Sequence, residues 1–201
     1  MLAVRNLTYT YDNAVTLRYP DFSCAREETL LITGRSGCGK TTLLHILGGL
    51  INNYKGEVCI DDLLISGQST QLQNRKMGII FQHSHFIKGL TVRDNILVAV
   101  KRDKYKFLPV FSEDLGIAHL LNKFPSQLSQ GEKQRVGIAR ALIGHPMVLL
   151  ADEPTSSLDD ENTDAVLSLL REQATIYHSA LIIVSHDDRI KKALNSHIEL
   201  T

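Results

Sequence analysis

The chain has 201 residues, which is enough for one compact α/β domain with a sizeable core and short for two. Its 22 acidic residues balance 22 basic ones, so the overall charge gives no electrostatic reason to expect nucleic acid as a partner. The N-terminus lacks the apolar stretch of a signal peptide, and no apolar run reaches the ~18 to 20 residues of a membrane-spanning helix. If the protein acts at a membrane, another polypeptide is therefore expected to cross the bilayer.

The cysteines also bear on the compartment. There are three of them, Cys24, Cys38 and Cys59, an odd number without the spacing of metal ligands. Reduced thiols in a cytosolic compartment fit this usage better than a disulfide framework does.

The first part of the chain predicts short strands around a glycine-rich turn and a helix. The strands are expected at Ala3–Tyr9, Val15–Ser23, Thr29–Thr33, Gly56–Ile60 and Lys76–Phe81. The turn, Gly34–Gly39, follows the third strand and leads into a helix at Lys40–Leu50. The leucines of that helix recur at helical spacing and predict one buried face.

The rest of the chain predicts an inserted helical segment and then alternating helices and strands. Short, mostly helical segments with scattered charge run from about His83 to about Leu128. After them we expect the helix Gly131–Ile143, the strand Met147–Ala151, the helix Glu161–Ala174 and the strand Ala180–Ser185. This alternation favours an α/β fold with a mostly parallel sheet covered on both faces. We predict one domain, with a core of residues 1–85 and 136–201 and a helical subdomain at about 86–135.

A phosphate-binding loop is the strongest local motif. GRSGCGKTT fits G-x-x-x-x-G-K-[ST] with a strand before it and a helix after it. The segment consists of Gly34, Arg35, Ser36, Gly37, Cys38, Gly39, Lys40, Thr41 and Thr42. Small residues let backbone N–H groups close around phosphate oxygens at a helix N-terminus. Lys40 is expected to reach the phosphates and Thr41 to ligate Mg²⁺, although such a turn could also do no more than start a helix.

A pair of acids ends the predicted strand Met147–Ala151. Asp152 is placed to hold Mg²⁺ beside the phosphate loop, directly or through water. Glu153 is the candidate general base for the attacking water. An acidic pair after a strand is more often a solvated turn, but its presence in one chain with the phosphate loop favours the catalytic interpretation.

A third motif lies ahead of the acids. Ser129 and Glu132 have the spacing of a capping box for the helix that follows. The longer segment LSQGEKQRVGIARAL, standing ahead of VLLADEPTSSLD, resembles the signature region of ABC ATPases, and the similarity covers essentially the whole chain in the family's motif order. It departs from the family at Gln130, where glycine is commoner. The segment between Gln82 and Leu128 is also shorter than is usual in the family.

The resemblance implies a P-loop NTPase core with a small antiparallel β part and roles for further residues. Gln82 is similar to the glutamine that senses Mg²⁺, and His186 to the histidine that contacts the γ-phosphate. Tyr11 is similar to the aromatic residue that stacks on adenine, with Tyr9 as a rival. The segment 157–159 resembles the D-loop. His83 and His85 invite a metal interpretation, but two ligands are too few.

The resemblance also implies partners. Two copies would face each other head to tail, so that Ser129, Gln130 and Gly131 of one close on ATP held by the loop of the other. The implied function is the ATP-hydrolysing subunit of a transporter, at the inner face of the cell membrane, driving an integral membrane permease on a separate chain. The layout looks most like the branch serving lipoprotein release, macrolide export and cell division. The alternatives are an ABC ATPase that acts on nucleic acid, and one that regulates a membrane partner in signalling or cell division.

Overall fold

The computed structural model of the chain describes residues 1–11, 15–61, 63–64, 77–156, 160–194 and 196–201. Its strands are β1 Leu2–Thr10, β2 Thr16–Arg18, β3 Phe22–Cys24, β4 Thr29–Gly34, β5 Lys55–Ile60, β6 Leu63–Leu64, β7 Met77–Ile80, β8 Val148–Asp152, β9 Ala180–Val184 and β10 His197–Leu200. Its α-helices are α1 Lys40–Leu47, α2 Val92–Leu97, α3 Leu108–Asp114, α4 Gln130–Leu142, α5 Asp160–Ile176 and α6 Asp188–Ala193. Short 3₁₀ helices lie at Arg102–Phe107, Ala118–Leu120 and Pro125–Gln127.

The central sheet is parallel, with strand order β10-β4-β9-β8-β7. The predicted mostly parallel sheet is therefore confirmed. Because all five strands run the same way, their carboxyl ends share one edge. That edge receives the glycine-rich loop after β4, Asp152 at the end of β8, His186 after β9 and Gln82 after β7. The topology thus gathers motifs that are far apart in the sequence.

Two hydrophobic clusters cover the faces of this sheet. Side chains alternate between them along each strand, because successive residues of a strand point to opposite faces. Leu31, Leu149 and Leu181 pack with residues of α2 to α6, whereas Ile32, Leu150 and Ile182 pack with α1 and the antiparallel strands. Burying one such side chain contributes about 1.5–3 kcal/mol, and this explains the unbroken apolar runs of β8 and β9.

The antiparallel sheet differs from its prediction at one place. In place of a single strand over Val15–Ser23, the structure has β2 paired with the end of β1 and β3 paired with its start. Between them Tyr19 donates its N–H to the Leu7 carbonyl at 3.0 Å, and Pro20 follows. Proline has no N–H for the ladder, so the pairing breaks there and resumes at Phe22.

Two helices also have bounds that differ from the predicted ones. Helix α1 ends at Leu47 rather than Leu50, because Gly48 and Gly49 follow and Gly49 takes a left-handed φ of 72°. Helix α4 begins at Gln130 with Ser129 as its N-cap, and the predicted capping box with Glu132 is confirmed. The subdomain boundary predicted between residues 135 and 136 lies within this helix, which continues through it without a break. In the part of the chain described, no helix is both long and apolar enough to cross a bilayer.

Candidate nucleotide and hydrolysis site

The glycines of the loop between β4 and α1 are required by its shape. Gly37 and Gly39 have φ values of 83° and 99°, which disfavour any residue with a Cβ. A Cβ on Gly39 would also lie 2.6 Å from Leu17 Cδ1 and 2.9 Å from the Tyr19 hydroxyl oxygen, whereas one on Gly37 would meet nothing within 4 Å. Gly39 is therefore packed against the antiparallel sheet, and Gly37 lies on the open side of the loop.

Lys40, the first residue of α1, points back into this loop. Its Nζ donates to the carbonyl oxygens of Gly34 at 2.8 Å and Arg35 at 3.1 Å, and the side chain is buried. Cys38 N–H donates to the Arg35 carbonyl at 3.2 Å, which closes the turn that contains Ser36. The ammonium is thus held by two backbone carbonyls of the loop, beside the helix N-terminus where phosphate oxygens would bind.

Tyr11 lies beside the start of α1. Its hydroxyl shares a hydrogen bond with Thr42 Oγ1, and its ring packs edge-to-face on Tyr9 with centroids 4.8 Å apart. Tyr11 is 43% exposed, while Tyr9 packs partly on the core. A residue that the sequence did not single out, Tyr19, is buried under the same loop and donates its hydroxyl to the Gly39 carbonyl at 3.0 Å.

Asp152 and Thr41 come together from β8 and α1. Thr41 Oγ1 donates to Asp152 Oδ1 at 3.3 Å. Burial raises the pKa of Asp152, and the neighbouring Glu153 carboxylate raises it further, while the Thr41 bond acts in the opposite direction. A hydroxyl and a carboxylate oxygen fit Mg²⁺, which binds through one or two carboxylates together with substrate phosphates. Among the described residues, no group of three or more His, Cys, Asp or Glu side chains is arranged to hold a metal ion.

Glu153 is held in a defined conformation at the end of β8. Its φ of 46° lies in the left-handed region, and its N–H donates to the Val184 carbonyl at 2.8 Å. Its Oε2 accepts a hydrogen bond from Ser185 Oγ at 2.9 Å. Its Oε1 accepts the His186 N–H at 3.2 Å and lies 2.6 Å from His186 Nδ1. The structure therefore brings Glu153 and His186 into direct contact, and adds Ser185, which the sequence did not indicate.

Gln82 is paired with Ser156 rather than with Thr41 or Asp152. Its Nε2 donates to Ser156 Oγ at 3.1 Å, on the turn that follows Glu153. Gln130 lines a small pocket together with Gln82 and Glu153, so the first turn of α4 faces Glu153. Ser129 and Gly131 lie at the start of the same helix. The D-loop segment 157–159 lies outside the described residues.

The loop after Gln82 is fixed to helix α4 by Arg140. Its guanidinium donates to the Ser84 carbonyl at 2.6 Å and the His85 carbonyl at 3.2 Å, and lies 5.1 Å from the Phe86 ring centre. His83 and His85 pack edge-to-face with ring centres 6.5 Å apart. No sequence pattern indicates this contact, because a guanidinium that binds backbone carbonyls requires no particular partner residue.

These features define a P-loop nucleotide-binding fold with an acid pair and a histidine at the edge of its sheet. The sequence model described as "ABC transporter" matches residues 17–156, and the chain therefore belongs to that family. The predicted family and the ATPase activity that goes with it are both confirmed.

Solved structures support the same assignment. The chain is similar to MJ0796, described as a bacterial ABC transporter cassette in a dimeric structure, with 28% identity, a TM-score of 0.84, and coverage of 100% of this chain and 94% of that one. The same values hold for MJ0796 in a post-hydrolysis dimer with ADP and phosphate. CbiO1 from Clostridium perfringens, part of the transporter complex cbiONQ, has 27% identity and a TM-score of 0.87, with coverage of 100% and 84%.

Proposed function

We propose that this ATPase cassette is the energy-converting subunit of an ABC transporter, that it dimerises around ATP, and that it drives an integral membrane permease on a separate chain. The observation that carries the proposal is the convergence at one sheet edge of the phosphate loop, the Asp152 and Glu153 pair and His186. The dimeric state of the similar MJ0796 cassette and the membership of CbiO1 in a transporter complex support it. We place the protein at the inner face of the cell membrane, in the branch that serves lipoprotein release, macrolide export and cell division.

The residues of the site have distinct roles in hydrolysis. Lys40 and the loop amides hold the phosphates, Thr41 and Asp152 hold Mg²⁺ with Gln82 as its sensor, and Tyr11 stacks on adenine. Mg²⁺, when bound, neutralises charge on the phosphate oxygens. Glu153 orients water for attack on the γ-phosphorus, whose bond to the β–γ bridging oxygen breaks to give ADP and phosphate. His186, in contact with Glu153, faces the γ-phosphate.

A second copy completes each site. Ser129, Gln130 and Gly131 of one copy close on the nucleotide bound by the loop of the other. Two shared nucleotides stabilise the closed dimer over the open one, and hydrolysis removes that preference. Glu153→Gln should therefore bind ATP and accumulate as a dimer in sedimentation experiments, while wild type does not. A Glu153→Gln variant that stays monomeric at every ATP and Mg²⁺ concentration, or that hydrolyses ATP at the wild-type rate, contradicts this role.

A broad cleft between the segments that follow α1 and α2, the end of α4 and the 3₁₀ helix Arg102–Phe107 is the proposed docking site for the permease. Leu50 and Val98 line it and are 54% and 60% exposed. Lys101 and Lys104 on its wall outnumber the acidic Asp103. An apolar surface beside positive charge suits a short segment of the membrane subunit that carries both apolar and acidic side chains.

Affinity purification from gently solubilised membranes tests this partner. Leu50→Glu and Val98→Glu should lose an integral membrane protein that wild type retains, with basal ATPase activity unchanged. Ile176→Glu is the matched control, because Ile176 is similarly exposed, at 50%, and is not among the residues that line the cleft. Retention by the cleft variants would overturn the docking site. A captured membrane protein that moves no solute in vesicles would favour the regulatory function over transport.

A further inference from the structure

The turn that follows Glu153 is held by three different parts of the fold. Pro154 offers its carbonyl to Gln134 Nε2 of helix α4. Thr155 Oγ1 donates to Asp187 Oδ2 at 3.2 Å, at the start of α6, and Ser156 Oγ accepts from Gln82 at 3.1 Å, after β7. Three successive residues are thus each tied to a separate element.

The turn depends on these external hydrogen bonds because its own backbone conformation and hydrogen bonding stabilise it little. Glu153 is a non-glycine residue with a left-handed φ of 46°, a conformation that costs roughly 1–2 kcal/mol. Within the described residues 153–156, the hydrogen bond from Ser156 N–H to the Glu153 carbonyl is long, at 3.3 Å. Proline at position 154 has no N–H to contribute. External contacts therefore decide where this peptide lies.

Of the three ties to the residues after Glu153, the one from Gln134 lies nearest to Glu153 along the chain. Its amide reaches the carbonyl of Pro154, the residue directly after Glu153, whereas Gln82 reaches a side chain two residues further on. Gln134 lies one helical turn after Gln130, on the same face of α4, and both line the pocket beside Glu153. Helix α4 therefore joins the segment Ser129–Gly131 to the residue that directly follows Glu153.

We propose that Gln134 is a positioning residue for ATP hydrolysis, which fixes the Pro154 carbonyl and through it the direction of the Glu153 carboxylate. The inference rests on the proposed role of Glu153 but not on the membrane partner. A displaced carboxylate leaves the phosphate loop intact, so nucleotide binding should not change. A shift of about 1 Å in a catalytic group can lower turnover by about 100-fold.

Steady-state kinetics of three substitutions test the proposal. Gln134→Leu removes the donor, and Gln134→Glu keeps the shape but turns an acceptor toward the Pro154 carbonyl. Both should lower kcat by about 10- to 100-fold with KM for ATP changed less than about twofold. Gln134→Lys restores a donor and should recover most of the loss. Glu172→Leu, at an exposed position of α5, is the control and should keep the wild-type kcat.

A second background separates positioning from general damage. In Glu153→Gln, adding Gln134→Leu should lower the residual single-turnover rate by less than about twofold, because residues that act as a unit are not additive. Wild-type kcat in Gln134→Leu and Gln134→Glu, a rise in KM equal to the fall in kcat, no recovery with lysine, or a full further loss in Glu153→Gln would each overturn the proposal. Wild-type turnover in Glu153→Gln alone would instead refute the role of Glu153.

Discussion

The phosphate loop and the Glu153 turn lie on the same sheet edge but are built in different ways. The loop is contiguous, and its main contacts are made by its own backbone and by Lys40, six residues after the strand-end Gly34. The turn is held by side chains from three separate places in the chain, namely Gln82, Gln134 and the segment 185–187. One region is set by local sequence, and the other by tertiary structure.

From this difference we infer that nucleotide binding and hydrolysis can be disrupted separately in this molecule. Damage to the phosphate loop should remove nucleotide affinity, and with it dimer closure and hydrolysis. Damage to the turn or to the signature segment should leave affinity intact and lower turnover. The predictions below test that division at progressively smaller effects.

Lys40→Ala should have the largest effect. It removes the ammonium from the centre of the loop, so ATP affinity should fall at least about 10-fold and hydrolysis by about 1,000-fold. Nucleotide titration followed by fluorescence, together with phosphate release, measures both. Lys40→Arg is a useful second variant, because a planar guanidinium does not replace a compact, buried ammonium that is bonded to two loop carbonyls. ATP binding at wild-type affinity in Lys40→Ala would break the comparison.

Ser129→Arg should lower turnover without weakening binding to the monomer. A long cation at the helix start blocks closure on the partner's nucleotide, and activity should fall by about 100-fold. Because Ser129 Oγ also accepts the Glu132 N–H at 3.3 Å, loss of the cap should cost about 1 kcal/mol of stability. Glu132→Ala, which breaks the other half of the capping box, controls for that cost. Full turnover in Ser129→Arg would argue against a shared site.

Within the loop, Gly39→Ala should destabilise the protein more than Gly37→Ala. Both alanines would take a left-handed φ, at about 1 kcal/mol. Only at Gly39 does the added methyl group also meet Leu17 and Tyr19, raising the expected cost to about 2–3 kcal/mol. Urea unfolding of the nucleotide-free protein measures the difference. Equal costs would show that the loop can move away from the antiparallel sheet.

The same division explains what could be predicted from the sequence. The glycines, Lys40 and the acids were found because their spacing along the chain carries the chemistry. Ser185 precedes His186 and could have been noticed at the end of an apolar strand. Gln134 could have been noticed one helical turn after Gln130. The contacts of these two residues depend on how β9 and α4 pack, and no local pattern encodes that. The strand break at Pro20 could have been predicted, since proline cannot continue a ladder.

The smallest effect is expected where the helical segment meets the core. His145 has a φ of 53° and packs against Phe107 and Tyr177, with ring centres 4.3 Å and 5.6 Å away. Its Nε2 is buried and, within the described parts of the chain, lacks a hydrogen-bond partner. Burial lowers the pKa of His145, and the charge of Lys104 lowers it further.

Because the pKa of His145 is lowered in the folded state, its contribution makes the protein less stable toward acid pH. With a folded-state pKa below the usual 6.5, neutral His145 contributes stability that is fully present above pH 6.5 and is lost as the pH falls through the folded-state value. Asparagine tolerates the left-handed φ at this position. Between about pH 7.5 and 5, the Tm of His145→Asn should therefore fall by about 1–2 °C less than the Tm of wild type, as measured by thermal unfolding at both pH values. His119→Asn, at an exposed position, should match wild type. A change in ATP turnover at about pH 7.5 in His145→Asn would mean that this contact also positions α4. The hydrolysis site would then depend on the contact between the helical segment and the core.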